Sequence, residues 1–135
     1  MSAQGKRIIL VAEDDVRVRK MVTLRLTFEG FGVVVAGDGE EALQQAEAAG
    51  RLDLILLDVK MPKLNGFQVC KRLKANPFTA KIPVIIFTAS ASHFQRLADR
   101  CIEYGATDWL KKPFRSQDLL GKIRRALGEE GGSHA

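Results

Sequence analysis

The chain has 135 residues, of which 46% are hydrophobic and 27% charged, and its formal net charge is +5. This length predicts one domain, and the composition is that of an ordinary soluble globular protein. No apolar run approaches the ~20 residues of a membrane-spanning helix, and residues 1–7 lack the apolar segment of a secretory signal. Cys70 and Cys101 are too few and too far apart for a disulfide framework or a zinc site. We therefore expect a cytoplasmic protein with no membrane contact.

The positive charge raises the question of nucleic-acid binding. Solvated helix faces account for such charge without any ligand, and the sequence contains no zinc-finger spacing or RNA-binding motif. Direct nucleic-acid binding is therefore not expected, and an acidic protein partner is the functional alternative. Much of the excess falls on the first and last predicted helices, at Arg17, Arg19, Lys20 and Arg25 and at Lys122, Arg124 and Arg125.

The first half of the chain alternates short apolar runs with amphipathic segments. The run 7–12 predicts a strand that stops at acidic residues. Residues 16–29 predict a helix that Gly30 ends and whose apolar positions include Val18, Met21 and Val22. A second strand is predicted at 31–36, and a second helix, with acidic residues in its first turn, at 40–49.

The second half continues this alternation with strands at 54–57, 82–87 and 108–111. A helix at 66–75 stops at Asn76-Pro77. Cys101 lies on an apolar stripe of the helix at 92–103, with Phe94, Leu97 and Ala98, which predicts a buried free thiol. The last helix, 116–127, is expected to be capped by Ser116 and to bury one face, formed by Leu119, Leu120, Ile123, Ala126 and Leu127.

Five βα units with continuously apolar strands predict an α/β fold, with a doubly wound five-stranded parallel sheet covered by five helices. The expected strand order is the flavodoxin-like 2-1-3-4-5, in one domain over residues 6–128 that is followed by a disordered tail at 129–135. Ligands of such sheets bind at the carboxyl ends of the strands. The residues that follow each strand are therefore the candidates for a site.

Those residues form a charged set: Glu13, Asp14 and Asp15 after the first strand, Asp58 after the third, Thr88 after the fourth, and Lys111 and Lys112 after the fifth. Clustered carboxylates need a counter-charge, and oxygen ligands without histidine or thiolate select Mg²⁺ or Mn²⁺. A carboxylate can also be the nucleophile of phosphoryl transfer, so we predict this role for Asp58, with a lysine and a hydroxyl neutralising the phosphoryl oxygens. Each feature alone is typical of a helix terminus or a turn, whereas their combination favours a site.

Four segments of the chain together resemble the receiver domain of two-component response regulators, of the chemotaxis-type single-domain kind. They are ILVAEDD (9–15), DLILLDVKMPKLNGF (53–67), IPVIIFTA (82–89) and GATDWLKKPF (105–114). The resemblance extends over nearly all of residues 6–128 and implies that Asp58 is the phospho-acceptor. It implies that Mg²⁺ is held by Asp14, Asp58 and the backbone carbonyl of Lys60, with Glu13 acting through water. The remaining implied roles are Lys112, rather than Lys111, as phosphate-binding lysine, Thr88 as switch hydroxyl, Trp109 as switch aromatic, and Asp15 as cap of the first helix.

The implied activity is that of a signalling module, with no catalysis beyond its own phosphorylation and dephosphorylation. A histidine kinase or histidine phosphotransfer protein would donate a phosphoryl group from phosphohistidine to Asp58. Thr88 would then move towards the phosphate and Trp109 would turn inward. The altered surface of helix four, strand five and helix five would bind a downstream protein or a second copy of the chain. The basic faces of the first and last helices, on one side of the sheet, would meet an acidic phosphotransfer partner.

Two residues depart from the usual pattern of this family. The switch aromatic is usually tyrosine or phenylalanine, so the bulkier Trp109 could instead be a static aromatic of the core or an interface. Lys60 lies two residues after the acceptor, and we hypothesise that it shields the aspartyl phosphate from water; the alternative is a lysine that points to solvent. His93 is expected to be a surface residue, and His134 to lie in the tail.

Other functions are less consistent with these residues. Phosphatases with an aspartate nucleophile require a second carboxylate two residues later, where this chain has Lys60. A flavodoxin-type redox protein requires a phosphate-binding loop after the first strand, where this chain has the acidic residues 13–15. The chain ends shortly after its last helix, which favours a stand-alone module. A receiver at the front of a larger regulator, with a DNA-binding or enzymatic output domain, remains the alternative.

Overall fold

A computed structural model describes residues 6–88 and 92–129, without the side chains of residues 92–94 and 97. Within these ranges, five strands alternate with five helices along the chain. The strands are β1 (Ile8–Ala12), β2 (Gly32–Ala36), β3 (Leu54–Asp58), β4 (Val84–Thr88) and β5 (Asp108–Lys111). The helices are α1 (Val16–Phe28), α2 (Gly39–Ala48), α3 (Gly66–Ala75), α4 (Ser92–Glu103) and α5 (Ser116–Ala126).

The five strands form one parallel sheet in the order β2-β1-β3-β4-β5. The predicted α/β fold, with its flavodoxin-like strand order and five helices, is therefore confirmed. All strands point the same way, so the carboxyl ends of β1, β3, β4 and β5 meet at one edge of the sheet. None of the helices within the described ranges combines the length and hydropathy that crossing a lipid bilayer requires.

Both faces of the sheet are covered, which explains why its central strands are continuously apolar. On one face, α1 and α5 bury Leu26 and Ile123 against β1, β3 and β4. On the other, α2, α3 and α4 bury Leu73 and Cys101 against alternate residues of the same strands. Every residue of β3 is buried, including Asp58 at its end, so this strand delivers a carboxylate from the centre of the core.

Polar side chains determine where three of the helices begin. Asp15 accepts hydrogen bonds from the backbone N–H groups of Arg17 and Val18, at 2.9 and 3.4 Å, which confirms it as the cap of α1. Asp38 caps α2 in the same way. Asn65 and Gln68 form a reciprocal capping box at α3. Because these caps follow β1, β2 and β3, they fix the loops at the carboxyl edge of the sheet.

Two predicted details are wrong. Ser116 does not cap α5: it is the first helical residue, and Arg115 before it has the extended conformation of an N-cap but makes no side-chain cap hydrogen bond. Met21 does not lie on the buried face of α1, since its side chain is 55% exposed. The buried stripe advances in steps of four, through Val22 and Leu26, and this leaves Met21 on the flank.

The proposed boundary between the domain and its tail remains a prediction. Residues 130–135 of the predicted tail, including His134, lie outside the described residues. Glu129 is described, and its carboxylate lies 3.1 Å from the guanidinium of Arg7. The side chain of His93 also lies outside the described residues.

Candidate functional site

The carboxyl ends of β1, β3 and β5 bring together three of the predicted site residues. The Lys112 ammonium, which follows β5, lies 2.6 Å from Glu13 Oε1 and 3.2 Å from Asp58 Oδ2. Glu13 follows β1 and Asp58 ends β3. Lys111, by contrast, is exposed. The structure therefore distinguishes the two neighbouring lysines and brings Lys112 to the carboxylates.

Both carboxylates that contact Lys112 are withdrawn from solvent. The exposed fraction is 0% for Glu13 and 4% for Asp58. Backbone N–H groups also bind them: that of Asp15 donates to Glu13 Oε2 at 3.1 Å, and that of Lys60 donates to Asp58 Oδ1 at 3.2 Å. Two buried carboxylates thus share one ammonium, and the pair keeps an excess negative charge.

Burial and the neighbouring charges change the acidity of the site. Burial and the neighbouring Asp58 carboxylate raise the pKa of Glu13 from 4.5 to about 7, against the opposing effect of Lys112. Burial alone would lower the pKa of Lys112, but its bonds to Glu13 and Asp58 outweigh that effect and raise it. Lys112 therefore holds its proton more tightly than an ordinary lysine, and Glu13 beside it ionises less readily than an ordinary glutamate.

A divalent cation fits this set of donors. Glu13, Asp14 and Asp58 can each offer a carboxylate oxygen, with all three oxygens within 4.8 Å of one another. Asp14 is exposed, whereas the other two are buried, so the cluster opens to solvent on one side. Hard oxygen donors with excess negative charge match Mg²⁺ or Mn²⁺.

Gly66 fixes the loop that follows Asp58, a role that the sequence analysis missed. A Cβ atom on Gly66 would lie 2.5 Å from the carbonyl oxygen of Asp58 and 2.8 Å from the Cα of Val59. The backbone N–H of Gly66 donates to the carbonyl of Val59 at 2.8 Å. Only a glycine allows α3 to begin this close to the loop. The turn pair Asn65-Gly66 was the available signal.

Arg19 also supports the site, although it was predicted to lie on a solvated basic face. Its guanidinium donates to the backbone carbonyl of Glu13 at 2.8 Å. The side chain is half-buried. Arg19 thus holds the loop after β1, and the basic face of α1 contains one cation fewer than the sequence suggested.

The structure places Thr88 at the site edge and Trp109 farther back. Thr88 is the last residue of β4 and fully buried, and its carbonyl accepts a hydrogen bond from the Lys112 N–H at 2.8 Å. Trp109 pairs with Ile86, two residues before the end of β4. It is half-buried against the core on the side of α2, α3 and α4, and it borders a surface hollow with Phe114 and Lys122.

Comparison with known proteins gives consistent matches. The family model described as the response regulator receiver domain matches residues 9–124. The response regulator MprA of Mycobacterium leprae is 40% identical over 119 residues, which cover 88% of this chain and 50% of that protein. The chain thus spans about half the length of the curated relatives it matches.

Solved structures match along most of the chain. The receiver domain of the sensor histidine kinase PA1611 from Pseudomonas aeruginosa, described with a magnesium ion coordinated in its active-site cleft, has a TM-score of 0.83 and 30% identity, covering 92% of this chain and 99% of that one. The chemotaxis protein CheY4 of Vibrio cholerae has a TM-score of 0.82 and 31% identity, covering 91% of this chain and 100% of that one.

Proposed function

Because the chain belongs to the response regulator receiver domain family, we propose that it is a phosphorylation-switched receiver of a cytoplasmic two-component or phosphorelay system. In this proposal Asp58 accepts a phosphoryl group from a phosphohistidine. One observation carries the proposal: the Asp58 carboxylate lies at the tip of a buried strand, 3.2 Å from the Lys112 ammonium and in a cluster with Glu13 and Asp14. That arrangement supplies a nucleophile together with the groups that offset phosphoryl charge.

The proposed transfer is a displacement at phosphorus. A carboxylate oxygen of Asp58 attacks the phosphorus atom, the P–N bond to the histidine breaks, and its electron pair stays on the imidazole nitrogen. The product is an aspartyl phosphate. Lys112, already between Glu13 and Asp58, is the cation that would bind the transferred phosphoryl oxygens. The Lys60 N–H, which binds Asp58, helps to orient the attacking carboxylate.

Mg²⁺, or alternatively Mn²⁺, would be held by Asp14, Asp58 and the backbone carbonyl of Lys60, with Glu13 reaching it through water. The ion would supply positive charge to the phosphoryl oxygens. Support comes from the clustered oxygen donors and from the raised pKa of Glu13, which burial and Asp58 cause. The charge of a bound cation would offset the effect of the Asp58 carboxylate on Glu13.

The proposed switch links the site to the surface of α4, β5 and α5. Thr88 would move towards the phosphate and Trp109 would turn inward. Two observations support this route: the Lys112 N–H donates to the Thr88 carbonyl, and Trp109 borders a surface hollow between β5 and α5. A downstream protein, or a second copy of the chain, would bind this surface in only one of the two states.

The proposed phosphoryl donor is a histidine kinase or a histidine phosphotransfer protein, which would dock on the outer face of α1. This face exposes an apolar stripe, with Met21 55%, Leu24 72% and Phe28 79% exposed. Arg17 and Lys20 are exposed beside it. An apolar stripe with a basic border suits an amphipathic acidic helix.

Charge reversal tests this docking face. We expect Arg17→Glu with Lys20→Glu to slow phosphotransfer at least tenfold at low salt and to weaken its salt dependence, because steering by opposite charges is lost. Lys81→Glu is the control, since Lys81 is exposed just before β4, at the opposite edge of the sheet. Equal transfer rates in the double variant and the control would exclude a contribution of the Arg17 and Lys20 charges to docking.

Intact mass spectrometry tests phosphorylation itself. We expect the parent, incubated with Mg²⁺ and a small acyl phosphate, to gain one phosphoryl group. Asp58→Asn should gain none, and Asp99→Asn, which changes an exposed acid of α4, should be labelled like the parent. Failure of the parent to gain mass, under conditions that label another receiver domain, would contradict acceptance from small donors. Labelling of Asp58→Asn would move the acceptor to another residue.

The second candidate is the receiver part of a larger regulator with a DNA-binding or enzymatic output domain. One observation favours it: the chain spans half the length of the response regulators it matches. An immunoblot of the source cells with an antibody against this chain decides between the stand-alone module and the larger regulator. A band near the 14.9 kDa of this chain would support the stand-alone module, and a band of about twice that mass would support the larger regulator.

A further inference from the structure

The seam between α3 and α4 contains two buried thiols that the proposed phosphorylation does not use. Cys70 of α3 and Cys101 of α4 are free cysteines with 0% exposure. The Cys70 thiol donates to the backbone carbonyl oxygen of Cys101, with Sγ 3.9 Å from that oxygen. The sequence predicted a buried thiol at Cys101 but not that a second thiol faces it.

Contacts along the same seam hold the two helices in register. Above the thiols, the Phe67 ring packs edge-on against Tyr104 at 5.2 Å, and the Arg100 guanidinium lies 4.1 Å over the Phe67 ring. Below them, the Lys74 stem lies 3.5 Å from the position of a Cβ on Gly105. These contacts lie on the turns of α3 before and after Cys70, and they pack α3 against the C-terminal part of α4 and the residues that follow it.

The two thiols affect each other's acidity. The Cys101 side chain lowers the pKa of Cys70 in spite of burial, and the Lys74 charge adds to this effect. The Cys70 side chain, with burial, raises the pKa of Cys101. Because the thiolate is the reactive form of cysteine, the reaction is written with Cys70, on which the Lys74 charge acts, as the first nucleophile.

We propose that Cys70 and Cys101 form an oxidation-sensitive dithiol, which hydrogen peroxide converts to an intramolecular disulfide that joins α3 to α4. The Cys70 thiolate attacks one peroxide oxygen, the O–O bond breaks, and a sulfenic acid forms as the first water leaves with a proton from solvent. Cys101 sulfur then attacks Cys70 sulfur, the S–O bond breaks, and the second water leaves with the Cys101 proton. The thiols lose two electrons in total, and the peroxide is reduced to two waters. Peroxide is small enough to enter through local opening of the seam.

The disulfide would affect signalling through α4. α3 begins in the loop after Asp58, and α4 belongs to the proposed output surface, so a covalent link between them opposes relative movement of the two helices. This consequence rests on the proposed function, whereas the disulfide itself does not. We expect oxidised protein still to be labelled at Asp58 by acyl phosphate. Its change in fluorescence on labelling, from Trp109 as the one tryptophan, should fall at least twofold.

Thiol counting by mass tests the disulfide. The folded, reduced parent is treated with peroxide, quenched, unfolded in urea and alkylated with iodoacetamide. We expect the parent to lose two hydrogen atoms, to take up no alkyl group, and to recover two alkylatable thiols after dithiothreitol. Its Tm should rise by ~5 °C or more on oxidation and return on reduction. Cys70→Ala and Cys101→Ala should not lose two hydrogens.

Three results would overturn the proposal. The first is two alkylatable thiols in the folded parent at a peroxide dose that oxidises both thiols of the urea-unfolded chain. The second is added oxygen on one sulfur without a disulfide, and the third is a disulfide between two chains. The parent alone gives these results, so they stand even if a variant fails to fold. Labelling of Asp58 in the same samples shows separately whether the proposed receiver function holds.

Discussion

Glu13→Gln tests whether the buried site raises the pKa of Glu13. Burial and the Asp58 carboxylate raise the pKa of Glu13 from 4.5 to about 7, so the folded chain binds this proton more tightly than the unfolded chain does. The raised pKa therefore makes a favourable contribution to the free energy of unfolding. This contribution is complete below pH 4.5 and is lost as pH rises through about 7. At pH 8 the parent must fold with Glu13 ionised, next to a second buried carboxylate.

The size of the effect follows from the pKa difference. The rise from 4.5 to about 7 corresponds to about 3 kcal/mol, since one pKa unit is worth ~1.4 kcal/mol. Glutamine retains the shape of Glu13 and an oxygen that accepts from Lys112, but it does not titrate. We therefore expect the stability of Glu13→Gln relative to the parent to rise by about 2–3 kcal/mol between pH 5 and pH 8.

Urea unfolding followed by circular dichroism, in EDTA at four pH values from about 5 to 8, measures this difference. Subtracting the parent's free energy of unfolding from that of the variant at each pH cancels the contribution of the other titrating groups, which both chains share. Glu103→Gln is the control, because it removes an equally charged but exposed carboxyl, and its difference should stay constant with pH. A Glu13→Gln difference that varies by less than about 0.5 kcal/mol, or that falls with pH, would refute the inferred rise in the pKa of Glu13.

Three further predictions concern the same edge of the sheet. Gly66→Ala should destabilise the fold by ~2 kcal/mol or more, because its Cβ would meet backbone at 2.5 Å. Gly121→Ala should instead stabilise the fold by ~0.5–1 kcal/mol, because a Cβ on this helical glycine would have nothing within 4 Å. Urea unfolding compares the two variants. Changes of the same sign in the free energy of unfolding would contradict this packing argument. Lys60→Ala should speed dephosphorylation of labelled protein several-fold if Lys60 shields the phosphate from water, and equal rates would exclude that role. Lys112→Gln should lower the initial rate of acyl phosphate labelling at least tenfold, whereas an unchanged rate would show that the transfer does not use the ammonium.

The fold could be predicted from the sequence because the patterns that indicate each strand and helix lie within short segments of the chain. Apolar runs of strand length, separated by amphipathic segments, leave few alternatives to a doubly wound parallel sheet. The site followed from one rule of topology, that strand tips meet at a common edge. Glu13, Asp58 and Lys112 lie up to 99 positions apart, yet each follows or ends a strand, so their meeting needed no knowledge of side-chain contacts.

The features that the sequence did not reveal depend on tertiary contacts. Arg19 looks like one of several solvated cations, and only the path of the loop after β1 brings the Glu13 carbonyl within 2.8 Å of it. Cys70 could be placed on an apolar face, but its partner across the seam depends on how α3 packs on α4. Ser116 has the side chain of a cap, but the extended residue before it decides where α5 begins.

The charge balance of the site connects its stability to its proposed function. One ammonium, on Lys112, contacts two buried carboxylates, and the exposed carboxylate of Asp14 lies in the same cluster. A site balanced by a second lysine would be more stable without metal, but it would gain less from binding a divalent cation, since the attraction depends on the uncompensated charge. Burial and the Asp58 carboxylate oppose ionisation of Glu13, and a bound cation would offset the part that Asp58 contributes. On this reasoning Glu13→Gln, whose stability relative to the parent is expected to rise up to pH 8, is also expected to bind Mg²⁺ more weakly than the parent.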